Sequence, residues 1–477
     1  MFRESKLPAL QICLLLLGNS LLSAQSRETA SQPPATTRIE SSPWQFETLV
    51  LNNGTEYAGL VQAMRPEEIE FAEIFRKPGQ PMSAVIRAID PADVVKLQRL
   101  PSDIRQLMMA RFQQFKDRAA IEAGSMQAVV LKPALHAGRT TFQYDGRWFA
   151  LASTADEEST RRSIVRIEQI FGAFRQLLPP RVERNPRVRI LLFGSLDEYH
   201  TALRKMKLAI DNLAVYTGRD NTIVAGAEIS TFARELAKIR AAHEAVMRDT
   251  DADYDRFREQ LAALSKLLAR RGFTRKQITD EMALRKAAWN KQYDQLVEQI
   301  NEANRRNEAK FNALTDRTFR RLYHEAFHAY LQNYVFPPDQ IAVDRWLNEG
   351  LAQIFEAGQL DANTLRIDAP PAITLRTLQH DLQGPTPLRL ATLLKADDDS
   401  FLATHRTGSS QRHYLYAWGL TYYLVFEQGL LRAGRLDSYL ANSQRTRSDR
   451  FEQLVGMPLS QFEAQWRYFM LRMQALR

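Results

Sequence analysis

His324-Glu325-Ala326-Phe327-His328 gathers the residue types that metal-assisted hydrolysis needs. Positions i and i+4 share one face of a helix, so both imidazoles can reach one metal ion. Glu325 lies beside that face, where it can take a proton from an attacking water instead of binding the metal. Glu349, in Trp346-Leu347-Asn348-Glu349-Gly350-Leu351-Ala352, follows His328 by 21 positions. Two His and one distant Glu make a three-ligand site with an open fourth position, the form of a catalytic zinc. Leu322, Tyr323, Ala326, Phe327, Ala329 and Tyr330 are uncharged, as a buried helix requires. His243-Glu244 provides an internal contrast, because no second His follows it at the same spacing. The bland alternative is a pair of core-facing helix histidines.

A third histidine is excluded as the remaining ligand, since Leu331 and Tyr334 stand where that pattern needs Gly and His. Pro337-Pro338-Asp339 ends the first helix, and a second is predicted from about Asp344 to Glu356. A turn between them brings Glu349 back to the histidines. Its neighbours Trp346, Leu347, Leu351 and Ile354 are apolar, and a carboxylate among them needs a partner. Glu356 is the alternative ligand, and an ordinary helix carboxylate the bland reading. Hydrolysis also needs a donor for the oxyanion. Tyr414 is the candidate, at the start of a helix after Gly408-Ser409-Ser410, with Tyr416 and His413 as alternatives and a packed core aromatic as the bland reading. Asn348 and Asp344 are candidates to hydrogen-bond the ligand histidines from behind.

The elements that would position these groups are readable in outline. Residues 44–100 hold four or five short strands, with turns at Asn52-Asn53-Gly54 and at 77–81, and predict a small β-barrel of the SH3 or Sm-like kind. Ser102 to about Ala123 is predicted helical. Arg147–Ser153 and Val188–Phe193 are strand-like and flank an amphipathic helix from Glu157 to Leu178. A hairpin turns at Gly218-Arg219-Asp220-Asn221 and offers an edge strand for an extended substrate. Residues 230–318 are charged helix: Tyr254, Phe257, Leu261, Leu264 and Leu268 step by three and four, Gly272 breaks the run, and Trp289, Tyr293, Leu296 and Ile300 resume it. That pattern predicts a coiled-coil-like helical hairpin whose second arm runs into the metal helix. Residues 340–477 are expected to be largely helical.

The 477 residues, 45% hydrophobic and 25% charged, are ordinary globular material. Residues 1–24 differ: Arg3 and Lys6 precede an apolar run ending at Leu22, read as a secretory signal cleaved near Ala24, with a retained anchor as the rival. Residues 25–43 read as a linker. The single cysteine, Cys13, falls inside the signal, so the exported chain is expected to carry no thiol. The net charge of +9 is spread among acidic residues, which argues against a nucleic-acid partner. No later stretch is apolar enough to span a membrane.

The export signal, small barrel, H-E-x-x-H, W-L-x-E-G-L-A and late Tyr414-x-x-x-Trp418 helix together resemble a family of largely uncharacterised secreted bacterial proteins. These carry a gluzincin-like metallopeptidase domain. The resemblance covers about 44–475 and is sharp over 322–356. It implies an α+β, mostly helical zincin-like domain at 101–477, with 230–318 as an insertion. It implies one zinc on His324, His328 and Glu349, with Glu325 as base, and no particular substrate. Gly226-Ala227-Glu228-Ile229 is too far from the aminopeptidase motif to imply that activity. The expectation is a zinc metallopeptidase, secreted or periplasmic, acting on a peptide or protein. The alternative is a non-catalytic envelope scaffold that binds a partner through barrel and hairpin. Hydrolysis of a non-peptide amide would use the same residues.

Overall fold

The computed structural model describes residues 38–39, 43–76, 82–136, 139–182, 187–208, 210, 212–361, 364–367, 370–397, 400–401, 409–431, 434–442 and 445–474. The expected signal, its cleavage point, most of the linker and the turn at 77–81 lie outside the described residues. The protein is mixed α/β and 60% helical. It divides into two compact units. One comprises, among the described residues, Gly194–Leu196 and Ala227–Arg317, and the other holds the remainder.

In the larger unit, β1 (Arg38–Ile39) falls inside the expected linker yet pairs in parallel with a strand far along the chain. Next come β2 (Glu47–Leu51), β3 (Glu56–Met64), β4 (Ile69–Phe75), β5 (Ser83–Ile89) and β6 (Val94–Gln98), antiparallel in the order β5-β4-β3-β2-β6. Gly54, at φ +82°, makes the first turn, a conformation that only glycine adopts freely. Side chains alternate across the sheet, so both faces bury apolar groups. Leu60 and Ala72 pack with Met108 and Phe112 of α1 (Ser102–Lys116), while Leu49, Val61 and Phe71 cluster on the opposite face. The expected barrel is corrected to an open sheet, because no pairing among the described residues joins β5 to β6. Val85 and Ile86 on β5 and Val95 on β6 are 44%, 51% and 69% exposed, where closure would bury edge residues. The single helix expected from Ser102 is two, since the chain jogs at Asp117 into α2 (Arg118–Ala128).

A six-stranded sheet follows. Its strands are β7 (Lys132–His136), β8 (Arg139–Asp145), β9 (Phe149–Ser153), β10 (Val188–Phe193), β11 (Ala214–Thr217) and β12 (Thr222–Gly226), in the order β11-β12-β10-β9-β8-β7. β9, β10 and β12 run parallel, and the outer pairings are antiparallel. The parallel step from β9 to β10 needs a crossover, supplied by α3 (Glu157–Leu177). Asp156 caps α3, its carboxylate accepting from Ser159 N at 2.9 Å, and Ile164, Ile167, Phe171 and Phe174 are fully buried. α4 (Leu196–Lys205) leads to the β11–β12 hairpin and leaves β11 at the sheet edge.

The smaller unit is a helical hairpin of α5 (Ile229–Arg270) and α6 (Arg275–Tyr330). Gly272, at φ +84°, ends the first arm. Thr274 and Gln277 form a capping box for the second: Thr274 Oγ1 accepts from Gln277 N at 3.3 Å, and Gln277 Oε1 from Thr274 N at 3.0 Å. Tyr254 and Phe257 meet Trp289 across the seam, at ring distances of 5.9 and 4.9 Å.

From Thr318 onward α6 belongs to the larger unit, and its last turns carry the H-E-x-x-H. It widens into a π-turn at Leu331–Val335 and stops before Pro337. Then come α7 (Arg345–Glu356), the strands β13 (Gln359–Asp361) and β14 (Thr364–Arg366), α8 (Ala372–Gln383), α9 (Leu390–Lys395) and α10 (Ser409–Tyr422). β14 is the strand that pairs with β1. α10 ends in a second π-turn, Tyr423–Glu427. α11 (Arg435–Ala441), α12 (Arg447–Val455) and α13 (Leu459–Arg472) complete the chain. Among the described residues no helix is long and apolar enough to cross a membrane.

Candidate metal centre

Three helices meet through one aromatic cluster. Phe174 of α3 lies 5.4 Å from Phe327 of α6 and 4.7 Å from Phe355 of α7, ring to ring, and Phe327 stacks on Phe355 at 4.8 Å. Phe327 is the residue before His328, and Phe355 lies six after Glu349, so this packing sets α6 and α7, which carry His328 and Glu349, against each other. Gly350 brings α7 close to α10: a Cβ there would stand 2.1 Å from Thr421 Oγ1 and 2.5 Å from Ala417 O.

His324, His328 and Glu349 are all buried and offer ligand atoms within 4.8 Å of one another, a group able to hold a metal ion. His324 Nε2 is 3.2 Å from Glu349 Oε2, and His328 Nε2 is 3.4 Å from Glu349 Oε1. The donor set itself tests the fit. Glu349 Oε2 is buried and, although 3.2 Å from His324 Nε2, makes no well-directed hydrogen bond, which leaves it open to a further partner. Two imidazole nitrogens and a carboxylate oxygen are ligands that a divalent transition ion accepts.

The far nitrogens of both rings are held from behind. His328 Nδ1 lies 2.9 Å from Asn348 Oδ1, and His324 Nδ1 lies 2.7 Å from Glu356 Oε2. Each contact fixes the ring and leaves Nε2 facing the ligand group. Asn348, expected to hydrogen-bond a candidate ligand histidine, contacts His328, and Glu356, weighed as an alternative ligand, contacts His324 at Nδ1. Asp344 is used elsewhere. Its buried carboxylate accepts from Tyr439 Oη at 2.5 Å and Arg450 Nη2 at 3.1 Å, and pairs with Arg447 Nε at 3.1 Å. It anchors the start of α7 to α11 and α12. The sequence expectation for Asp344 is corrected accordingly, because its oxygens are spent on partners close to it in space and remote in sequence.

Glu325 is buried, and both its oxygens are engaged. Oε2 accepts from the backbone N–H of Tyr216 on β11 at 2.8 Å, and Oε1 lies 2.5 Å from Arg321 Nη2. Asn333 secures the same hairpin by donating to Asn221 Oδ1 at 2.8 Å. Arg321 also lies 3.9 Å from Glu356, and Arg345 pairs with Glu349 Oε1 at 2.7 Å. Sequence reasoning missed both arginines, although each stands four residues before its glutamate, the spacing of a helical ion pair.

Burial pushes His324 down, as does Arg321, but its contacts with the Glu349 and Glu356 carboxylates outweigh both and hold it up at about 9. Burial would raise the Glu349 carboxyl, yet the two imidazoles hold it well below the usual carboxylate range. The Glu356 carboxyl is also lowered, the His324 contact overcoming burial. Tyr414 is half-buried on α10 and packs edge-on against Phe401 at 5.1 Å. Burial and then the Glu349 charge raise its phenol, with Arg345 and Arg321 opposing, so its hydroxyl stays protonated. Tyr416 is structural: its hydroxyl donates to Asp381 Oδ2 at 2.6 Å and accepts from Leu388 N at 3.1 Å. The His413 ring lies 5.5 Å from that of Phe401, tilted by 57°. Ser409 and Ser410 already belong to α10, and Gly408 lies outside the described residues.

Residues 319–446 match a family described as "Protein of unknown function (DUF1570)". The matched segment contains every ligand candidate, both arginines and Tyr414. No curated protein matches the chain, and no solved structure does.

Proposed function

We propose that this chain is a zinc metallopeptidase of the HExxH…E kind, exported to the bacterial envelope and acting on a peptide or protein. The observation that carries this is the convergence of His324, His328 and Glu349 within 4.8 Å, with Glu325 on the same helix. His324, His328 and Glu349 would hold the ion, and their nitrogen–nitrogen–oxygen set suits zinc. When bound, zinc supplies Lewis acidity and draws the pKa of water at its open position down to about 7. Glu325 takes a proton from the attacking water and delivers it to the leaving amine. To do so it exchanges its bonds with Arg321 and Tyr216 N for one to that water. Tyr414 donates to the charge that develops on the substrate carbonyl oxygen. β11, at the sheet edge, offers backbone groups to an extended substrate. The mixed sheet followed by two ligand-bearing helices agrees with a gluzincin-like domain. The open N-terminal sheet, whose last strand returns beside its first, agrees with an unclosed relative of an SH3 or Sm-like barrel.

One observation favours a second reading, a non-catalytic envelope scaffold in which the metal group is architectural: both Glu325 oxygens are already engaged. The test is the zinc content of residues 25–477 beside a Glu349→Ala variant, then turnover of a peptide library by wild type and Glu325→Gln. About one zinc per chain is expected, weakened or lost in Glu349→Ala, with cleavage abolished by Glu325→Gln. Absence of metal after reconstitution would sink the enzyme. Tightly held metal with no cleavage would favour the scaffold.

A further inference from the structure

We infer that Arg321 and Arg345 form a carboxylate-binding subsite beside the metal group, so that the protein prefers a substrate bearing a carboxylate next to the scissile bond. This rests on the peptidase reading and deepens it.

The layering of charge is the first support. The Glu325 and Glu349 side chains are 6% and 2% exposed, whereas those of Arg321 and Arg345 are 25% and 27% exposed. The two guanidiniums therefore lie nearer solvent than Glu325 and Glu349, the carboxylates they pair with at closest range, while Glu356 is 32% exposed beside them. Charge balance is the second. Glu325, Glu349 and Glu356 face two guanidiniums, which leaves the group net negative when its imidazoles are neutral, as ligation requires. A divalent cation reverses that sign, so the loaded group attracts an anion. Competition is the third. Glu349 Oε1 is at once the partner of Arg345 and one of the atoms facing His328 Nε2, at 2.7 and 3.4 Å. A cation sharing the Glu349 charge weakens its hold on Arg345, and a substrate carboxylate is the natural replacement, since a guanidinium fork matches it bidentately. Arg321 adds a buried Nε with no hydrogen-bond partner in the same group. The Tyr414 hydroxyl lies within the field of both arginines and can share the anion.

The carboxylate can be a chain terminus or an acidic side chain, and the probes separate the two. Binding of acetyl-Asp-amide, acetyl-Asn-amide, acetyl-Ala and acetyl-Ala-amide is measured by calorimetry on zinc-loaded wild type, Arg345→Gln, Arg345→Lys and Arg321→Gln, with metal content read on each sample. At least one acid is expected to bind about tenfold or more tighter than its neutral partner in wild type. That preference should vanish in Arg345→Gln, fall in Arg321→Gln and survive in part in Arg345→Lys. Preference for acetyl-Asp-amide assigns a side-chain carboxylate, and preference for acetyl-Ala a terminal one. Bound zinc with no preference in wild type, or an unchanged preference in Arg345→Gln, overturns the subsite alone. No bound metal overturns the peptidase reading, and the subsite with it.

Discussion

The His324 and His328 imidazoles are each gripped at Nδ1 by a side chain outside the candidate group, so if the group holds a metal as proposed, its affinity should depend on residues that never touch the ion. Asn348→Ala and Glu356→Gln are each expected to weaken zinc binding by about 10–100-fold while leaving the fold intact, which competition with a chromophoric chelator would measure. Unchanged affinity in both would mean that burial alone orients the rings. The ligand spacing was legible in the sequence because it is local: one helical turn joins His324 to His328, and Asn348 adjoins Glu349. Asp344 was misread because its partners Tyr439 and Arg450 lie far along the chain, and no local pattern announces them.

Among the elements, α7 is the one whose position matters most, because it carries Glu349, Asn348 and Glu356 together. Gly350 lets it lie against α10. Gly350→Ala would drive a methyl into Thr421 Oγ1 and Ala417 O, at an expected cost of about 1–3 kcal/mol in unfolding free energy. Chemical denaturation checks the cost, and zinc affinity should fall with it as Glu349 moves. A substitution that leaves both unchanged would show that α10 gives way instead. The strands of the N-terminal sheet and the α7 span were legible because their hydrophobic periods are clean. β7 and β8 were not, since 132–145 mixes Lys, Pro, Gly and Thr with few apolar residues. The break at Asp117 was hidden because Lys116, Asp117 and Arg118 all suit a helix. Closure of the N-terminal sheet depends on how two edges meet, which no single strand encodes.

Across the whole molecule, burial is uneven. The core of the larger unit is dense in fully buried aromatics such as Phe171, Phe174, Trp346, Trp418 and Trp466. In the smaller unit, the buried apolar residues among those described are Ile229, Leu236 and Ile300. Its helices should therefore open more readily. Hydrogen exchange is expected to be markedly faster in 240–300 than in α7, β10 or β12, and equal protection would mean that the hairpin has a stabilising partner.

The π-turn at Leu331–Val335 sets a phase. Winding is wider there, and two ties exist only at that angle: Tyr334 Oη donates to Trp148 O at 2.5 Å, and Asn333 holds Asn221 of the β11–β12 hairpin. Removing one residue from this turn would act as a rotation more than as a gap. Asn333 and Tyr334 would swing by about 100° and release both ties, while His324 and His328 lie before the turn and the non-helical stretch 337–343 takes up the change ahead of Glu349. Such a deletion separates holding the metal from presenting the sheet edge to it: zinc content should persist, and with the edge strand adrift, any peptide cleavage should not.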